Sequence, residues 1–193
     1  MTDSALADHA GNERSSRRAL LGAVVGGAAI ALAGGRTASA AANSGLSADD
    51  LSTAESAIAL ELAARDLYDT AIAAGADGDV WHTMREQHES YAQRLAGISG
   101  SSAVGRDQSM FDQLSGDFDT SDPAAIALEV ENQLAATHTA LLGTVDDIGI
   151  AEAMASFVSM QSRHATVLAT LSGRSDDFDA LFVNPAVAAG TEA

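Results

Sequence analysis

The chain has 193 residues, no cysteine and no lysine, and carries 27 acidic side chains against 10 arginines, a formal net charge of −17. That length supports one domain with a proper core, and such a charge repels nucleic acid and anionic lipid. Without cysteine there is no disulfide, thiolate metal site or lipid-attachment cysteine, so any metal has to be held by His, carboxylate, Met or water.

Residues 1–40 read as a targeting segment. Arg17 and Arg18 stand just ahead of the apolar run "ALLGAVVGGAAIALA", which stops after 15 residues and falls short of the roughly 20 that span a bilayer comfortably. The stretch resembles a twin-arginine export signal, with Ala38-Ser39-Ala40 as a small-residue cleavage site; the alternative is an uncleaved N-terminal anchor. Cleavage leaves no stable membrane span and places the protein in the periplasm, cell envelope or medium. Three acids and four arginines belong to this segment, so the remainder holds 24 acids against 6 arginines.

Helical apolar spacing then dominates, with almost no competing strand signal. A first helix opens at "SADDL", where Ser47 can cap and Asp49 and Asp50 favour the positive end of the helix dipole, and it runs to about Ala74. A second follows "GADGD" and ends near Gly97 to Gly100. A third starts at Asp122-Pro123, an N-cap with proline at the first helical position, and continues to about Val145. A fourth lies between "DDIG" and Gly173.

The first and second helices are joined by a few residues, as are the third and fourth, so each pair is expected to form an antiparallel hairpin. Between the hairpins lie 23 residues, Ser99 to Ser121, with one short helix expected around Arg106 to Leu114; that length can cross a bundle from end to end. The expected domain spans 41–173, and 174–193 is a tail in which Phe178, Leu181 and Phe182 are expected to pack back before it frays.

The hairpins repeat each other. "MREQHESYAQRLAG" and "MQSRHATVLATLSG" agree in Met, His, Leu and Gly at an offset of 76 residues, and the first and third helices agree at an offset of 70. At about 100° per residue, His88 shares its face with Trp81, Met84, Ala92 and Leu95, and His164 is flanked alike by Phe157, Met160, Leu168 and Leu171. Glu61 and Tyr68 are two turns apart, as are Glu131 and His138. "AIALELAARDLY" and "ALEVENQLAATH" thus each set one carboxylate in an apolar stripe, making the inward polar series Glu, His, Glu, His.

This pattern resembles the ferritin-like superfamily, and more narrowly the exported bacterial ferritin-like domain proteins, some described as desiccation-related. The resemblance covers about residues 47–173. It implies an all-α four-helix bundle of two antiparallel hairpins with a long crossover. It also implies a di-iron site in which the first and third helices each give a Glu, and the second and fourth each give Glu-x-x-His. Glu61, His88, Glu131 and His164 match those ligands, and Tyr68 matches a tyrosine often found two turns after the first Glu, with His138 as its counterpart. Arg85 and Gln161 stand where two bridging carboxylates would be.

Two divalent ions against two carboxylates would leave a large positive surplus in a low-dielectric core, with Arg85 adding to it. Full di-iron ferroxidase activity is therefore not expected. Two readings stay open. One is a single divalent ion (iron first, then manganese or zinc) on Glu61, His88, Glu131 and His164, loaded in the cytoplasm if the chain folds before export. The other is a metal-free structural or stress-protective bundle in which the Arg85 guanidinium bridges Glu61 and Glu131 while the histidines and Gln161 complete the network. In either, Tyr68, Arg85, His138 and Gln161 surround the inner four.

A copper(I) site on Met84 and Met160 is weaker than their reading as core filler. His82, Glu86 and Glu89 read better as a solvated helix face than as a surface metal site. Arg65 can pair with Glu61 one turn away. A homodimer is compatible with the sequence; nothing in it specifies one.

Overall fold

The computed structural model describes residues 45–119, 122–181 and 188, and every regular element among them is helical. Helix α1 spans Ala48–Ala73, α2 Asp79–Ser99, α3 Gln108–Ser115 with a 3-10 turn at Gly116–Asp119, α4 Pro123–Leu142, α5 Ile148–Leu171, and α6 Phe178–Leu181. The expected targeting segment and Phe182 lie outside the described residues. No helix among the described residues is long and apolar enough to cross a membrane.

The helix ends follow from local chemistry. Ser47 Oγ accepts from the Asp50 amide at 2.9 Å, Asp107 from Met110 at 2.8 Å, Asp122 from Ala125 at 3.1 Å and Asp147 from Ile150 at 2.9 Å. Each satisfies an amide that the first turn leaves open. Helix α2 stops at Gly100, whose φ of 74° is the left-handed conformation that ends helices and that side chains resist. Helix α4 stops at Leu142, three residues before Val145, where Gly143 caps it.

Two apolar clusters fix the direction of the four long helices. One gathers Leu67 and Ala71 from late α1, Trp81 and Met84 from early α2, Ala124 and Leu128 from early α4, and Leu168 and Ala169 from late α5. The other gathers Ala54 and Ile58 from early α1, Leu95 and Ala96 from late α2, and Ile150, Met154 and Phe157 from early α5, with Leu141 and Leu142 packed against them. Helices α1 and α5 therefore run one way, and α2 and α4 the other. The segment between α2 and α4 has to travel the length of the molecule, and it does so along α1. There the Asp107 amide donates to the Ala59 carbonyl at 2.8 Å, and Arg106 pairs with Asp66 at 3.0 Å.

Alanine makes the close approach of these helices feasible: Ala54, Ala57, Ala63, Ala64, Ala71, Ala92, Ala127, Ala153 and Ala169 are fully buried. Small side chains at the contacts bring axes together, and Leu67, Leu128, Leu134, Phe157 and Leu168, each worth about 1.5–3 kcal/mol on full burial, fill the remaining space. After α5 the chain packs back through Ala180 and Leu181, and the Ala180 carbonyl accepts from Asn132 Nδ2 at 3.0 Å. Phe178, expected on the core, is 70% exposed instead, and Ala180 and Leu181 make the contact in its place.

Asp50 ties the start of α1 to the α4–α5 connection. Its Oδ1 accepts from the Asp146 and Asp147 amides at 2.8 and 3.4 Å, and its Oδ2 from the Ser47 hydroxyl at 2.8 Å. The Asp146 amide bond, with that of Ser47, holds this carboxyl below its ordinary value of 3.8. A carboxyl depressed in the folded state adds stability above its unfolded value and loses it as pH falls through the folded one. In urea titrations the protein is therefore expected to weaken as pH drops below 3.8, and Asp50→Asn to weaken it at neutral pH while flattening that acid limb.

Candidate metal centre

Between the two apolar clusters lies one buried polar layer. Its centre is His88, projected from α2 between the carboxylates of α1 and α4: Nδ1 donates to Glu61 Oε2 at 2.6 Å and Nε2 to Glu131 Oε1 at 3.0 Å. All three side chains are fully buried. Burial alone would lower the imidazolium's pKa, but the charges of Glu131 and Glu61 and the hydrogen bonds to both push it up to about 10. Burial alone would raise Glu131; the His88 charge and the hydrogen bonds from His164 and His88 bring it down to about 2.

The rest of the layer completes these carboxylates unevenly. Glu131 Oε1 also accepts from the Tyr68 hydroxyl at 2.6 Å and lies 3.1 Å from His164 Nδ1, while its Oε2 is buried with no hydrogen-bond partner. Glu61 Oε1 accepts from Gln161 Nε2 at 2.9 Å, and the same amide nitrogen lies 3.1 Å from His138 Nδ1. His138 Nε2 is 3.5 Å from Glu61 Oε1 and makes no hydrogen bond. Burial raises the Tyr68 phenol well above its ordinary value, and the neighbouring Glu131 charge adds to that, so it remains a donor.

His88, Glu131 and His164 form a buried group whose candidate ligand atoms all lie within 4.8 Å of one another, a set that could hold a metal ion. Glu61 joins this set through His88 Nδ1. The residues present fit such an ion. Glu131 has a bare, buried oxygen, two imidazoles converge on the same carboxylate, and two carboxylates balance a charge of two. Glu61 and Glu131 are the two carboxylates of the layer, and the Gln161 amide lies between Glu61 and His138.

Arg85 is not part of the layer. It points outward, pairing with Asp69 at 3.1 Å and Glu89 at 3.6 Å, so the bridge from Arg85 to Glu61 and Glu131 does not form. The physical reason is the long stem, which lets the guanidinium reach two surface acids rather than strip its hydration in the core. Gln161, its counterpart in the repeat, is fully buried. Arg65 likewise pairs with Asp66 and Glu89 instead of Glu61. Tyr68, His138 and Gln161 do surround the inner residues. Gln87, which sequence reasoning left unremarked, bonds to His164 Nε2 through its side-chain amide. Its position directly before His88 was the only signal of it.

Comparison with family models, characterised proteins and solved structures finds no match, so the functional reading rests on this layer.

Tyr68→Phe removes a hydrogen bond to a buried carboxylate and is expected to lower stability by about 1.5–3 kcal/mol. Arg85→Ala removes only half-exposed pairs, and its cost should stay under about 1 kcal/mol. Chemical denaturation of the two variants checks this ordering.

Proposed function

We propose that the protein is an exported, ferritin-like four-helix bundle that binds one divalent metal ion, iron before manganese or zinc, at His88, Glu131 and His164. The single observation that carries the metal reading is the bare, buried Oε2 of Glu131 on a carboxylate that both histidines approach. A metal-bound histidine usually donates its other ring N–H to a carboxylate that fixes the tautomer. Glu61 is placed for that role at His88 Nδ1, leaving Nε2 for the ion. Glu61 thus acts through His88 in this reading, and its charge still completes neutrality. Two His and one Glu leave coordination positions open, where the ion would supply Lewis-acid or redox chemistry according to its identity.

The ferritin-like assignment is supported by the order of the helices: two hairpins, a crossover along α1, and α1 and α5 opposed to α2 and α4. Export is supported by Arg17 and Arg18, the short apolar run after them and Ala38-Ser39-Ala40.

The geometry also favours a second reading, since His88 as an imidazolium already serves as the cation between two carboxylates. On that reading the layer is purely structural, as in a stress-protective bundle. Metal analysis and titration decide between them. With cobalt(II) as the probe, one equivalent per chain is expected, lost in Glu131→Gln and His164→Ala and kept in Arg85→Ala. Because His88 holds two protons below about 10, binding near neutrality should release one proton, and affinity should fall about tenfold per pH unit on acidification. The structural reading predicts no binding. Its raised His88 pKa stabilises the fold fully below 6.5 and progressively less as pH rises toward about 10.

A further inference from the structure

The polar layer is sealed on nearly every side. Along the long axis it is closed by the two apolar clusters. At the α1–α2 seam, Tyr68 and Met84 are buried, and the Arg65–Glu89 and Arg85–Asp69 ion pairs join the two helices. At the α4–α5 seam, His138 and Gln161 are fully buried, as are Glu61 and Glu131 on α1 and α4. The α2–α5 seam is different. The His164 side chain keeps 7% exposure where those of Glu61, His88, Glu131 and His138 keep none. Its Nε2 bonds to the partly exposed Gln87, and the Tyr91 hydroxyl approaches Gln87 Oε1 at 3.5 Å. Tyr91 in turn stacks on Phe157 of α5 at 4.5 Å between ring centroids.

The geometry points to the Gln87–His164 pair as the door of the layer: the contact between α2 and α5 that has to open for a divalent cation to pass between solvent and Glu131. This rests on the metal reading above. His164 is the member of the candidate ligand set that also reaches the wall, so one side chain both closes the opening and meets the ion. Gln87 is a positioning residue that latches it. One side-chain hydrogen bond sets the strength of the latch, and the Tyr91–Phe157 stack beside it limits how far the seam parts. Breaking the latch should therefore speed traffic in both directions.

Stopped-flow cobalt(II) uptake, and release into excess chelator, test this on the folded protein. Gln87→Ala is expected to load roughly threefold to tenfold faster, the scale of one lost hydrogen bond, and to release faster as well. Gln87→Glu, which keeps an acceptor for His164, should load no faster than the unaltered protein. A residue that merely oriented His164 would quicken release alone, so an unchanged or slower uptake in Gln87→Ala overturns the door. A readout that needs no metal accompanies it: deuterium exchange at the ring C2–H of each histidine, followed by mass spectrometry. Exchange at His164 should accelerate in Gln87→Ala while that at His88 stays slow; equal acceleration at both, or none at His164, also overturns it. Failure of cobalt to bind the unaltered protein instead overturns the metal reading, and with it a door for cations.

Discussion

Two carboxylates buried to zero exposure, one from α1 and one from α4, are the constraint around which this molecule is arranged. A carboxylate taken out of water unpaired is so costly that it neutralises or drags its element to the surface. Here one side chain prevents both outcomes. His88 meets Glu61 with one ring nitrogen and Glu131 with the other, so α1, α2 and α4 must lie at the separation and in the register that a single imidazole spans. The alanine-lined contacts let the helices come that close, and the apolar clusters above and below keep water from screening the attraction. Packing and electrostatics are therefore not separate contributions. The first sets the dielectric in which the second acts.

The same constraint relates the two functional readings. In either, the layer needs positive charge near Glu61 and Glu131. A proton on His88 supplies one unit, against two carboxylates; a divalent ion in place of the Nε2 proton supplies two and leaves the Nδ1–H bond to Glu61 standing. On the metal reading, the protonated network is the resting form of the proposed site. The outward turn of Arg85 matters for this reason. A guanidinium in the layer would be a permanent cation, whereas an imidazolium can give up its charge.

Most of the helical framework was legible because its signals are local. Asp122-Pro123, Ser47 and the glycines after α1 and α2 act within one turn, and the 3.6-residue stripe put Glu61, His88, Glu131 and His164 inside. What the stripe could not resolve was the fate of residues at its margin. Arg85 and Gln161 occupy equivalent places in the repeat, yet one is surface and the other core. The difference is set by partners from other elements: Asp69 and Glu89 draw Arg85 out, while Glu61 and His138 hold Gln161 in. Gln87 was invisible for the same reason, since only the approach of α5 gives it a histidine to hold. Phe178 was misplaced because a four-residue helix has too little periodicity to say which side faces in.

A repeat that has diverged at these positions no longer treats its two glutamates alike. On the α1 side, Glu61 has both oxygens occupied, one by His88 and one by an amide that also serves His138. On the α4 side, three neighbours crowd one oxygen of Glu131 and leave the other bare. Tyr68 and His138, counterparts in the repeat, divide accordingly: the phenol can only donate to its carboxylate, while the imidazole is taken up by Gln161. The cation proposed above would thus lie off the axis of the repeat, on the side of Glu131 and His164. His164 also keeps residual side-chain exposure where Glu61, His88, Glu131 and His138 keep none, so the proposed door and the carboxylate with the bare oxygen meet in one member of the candidate ligand set.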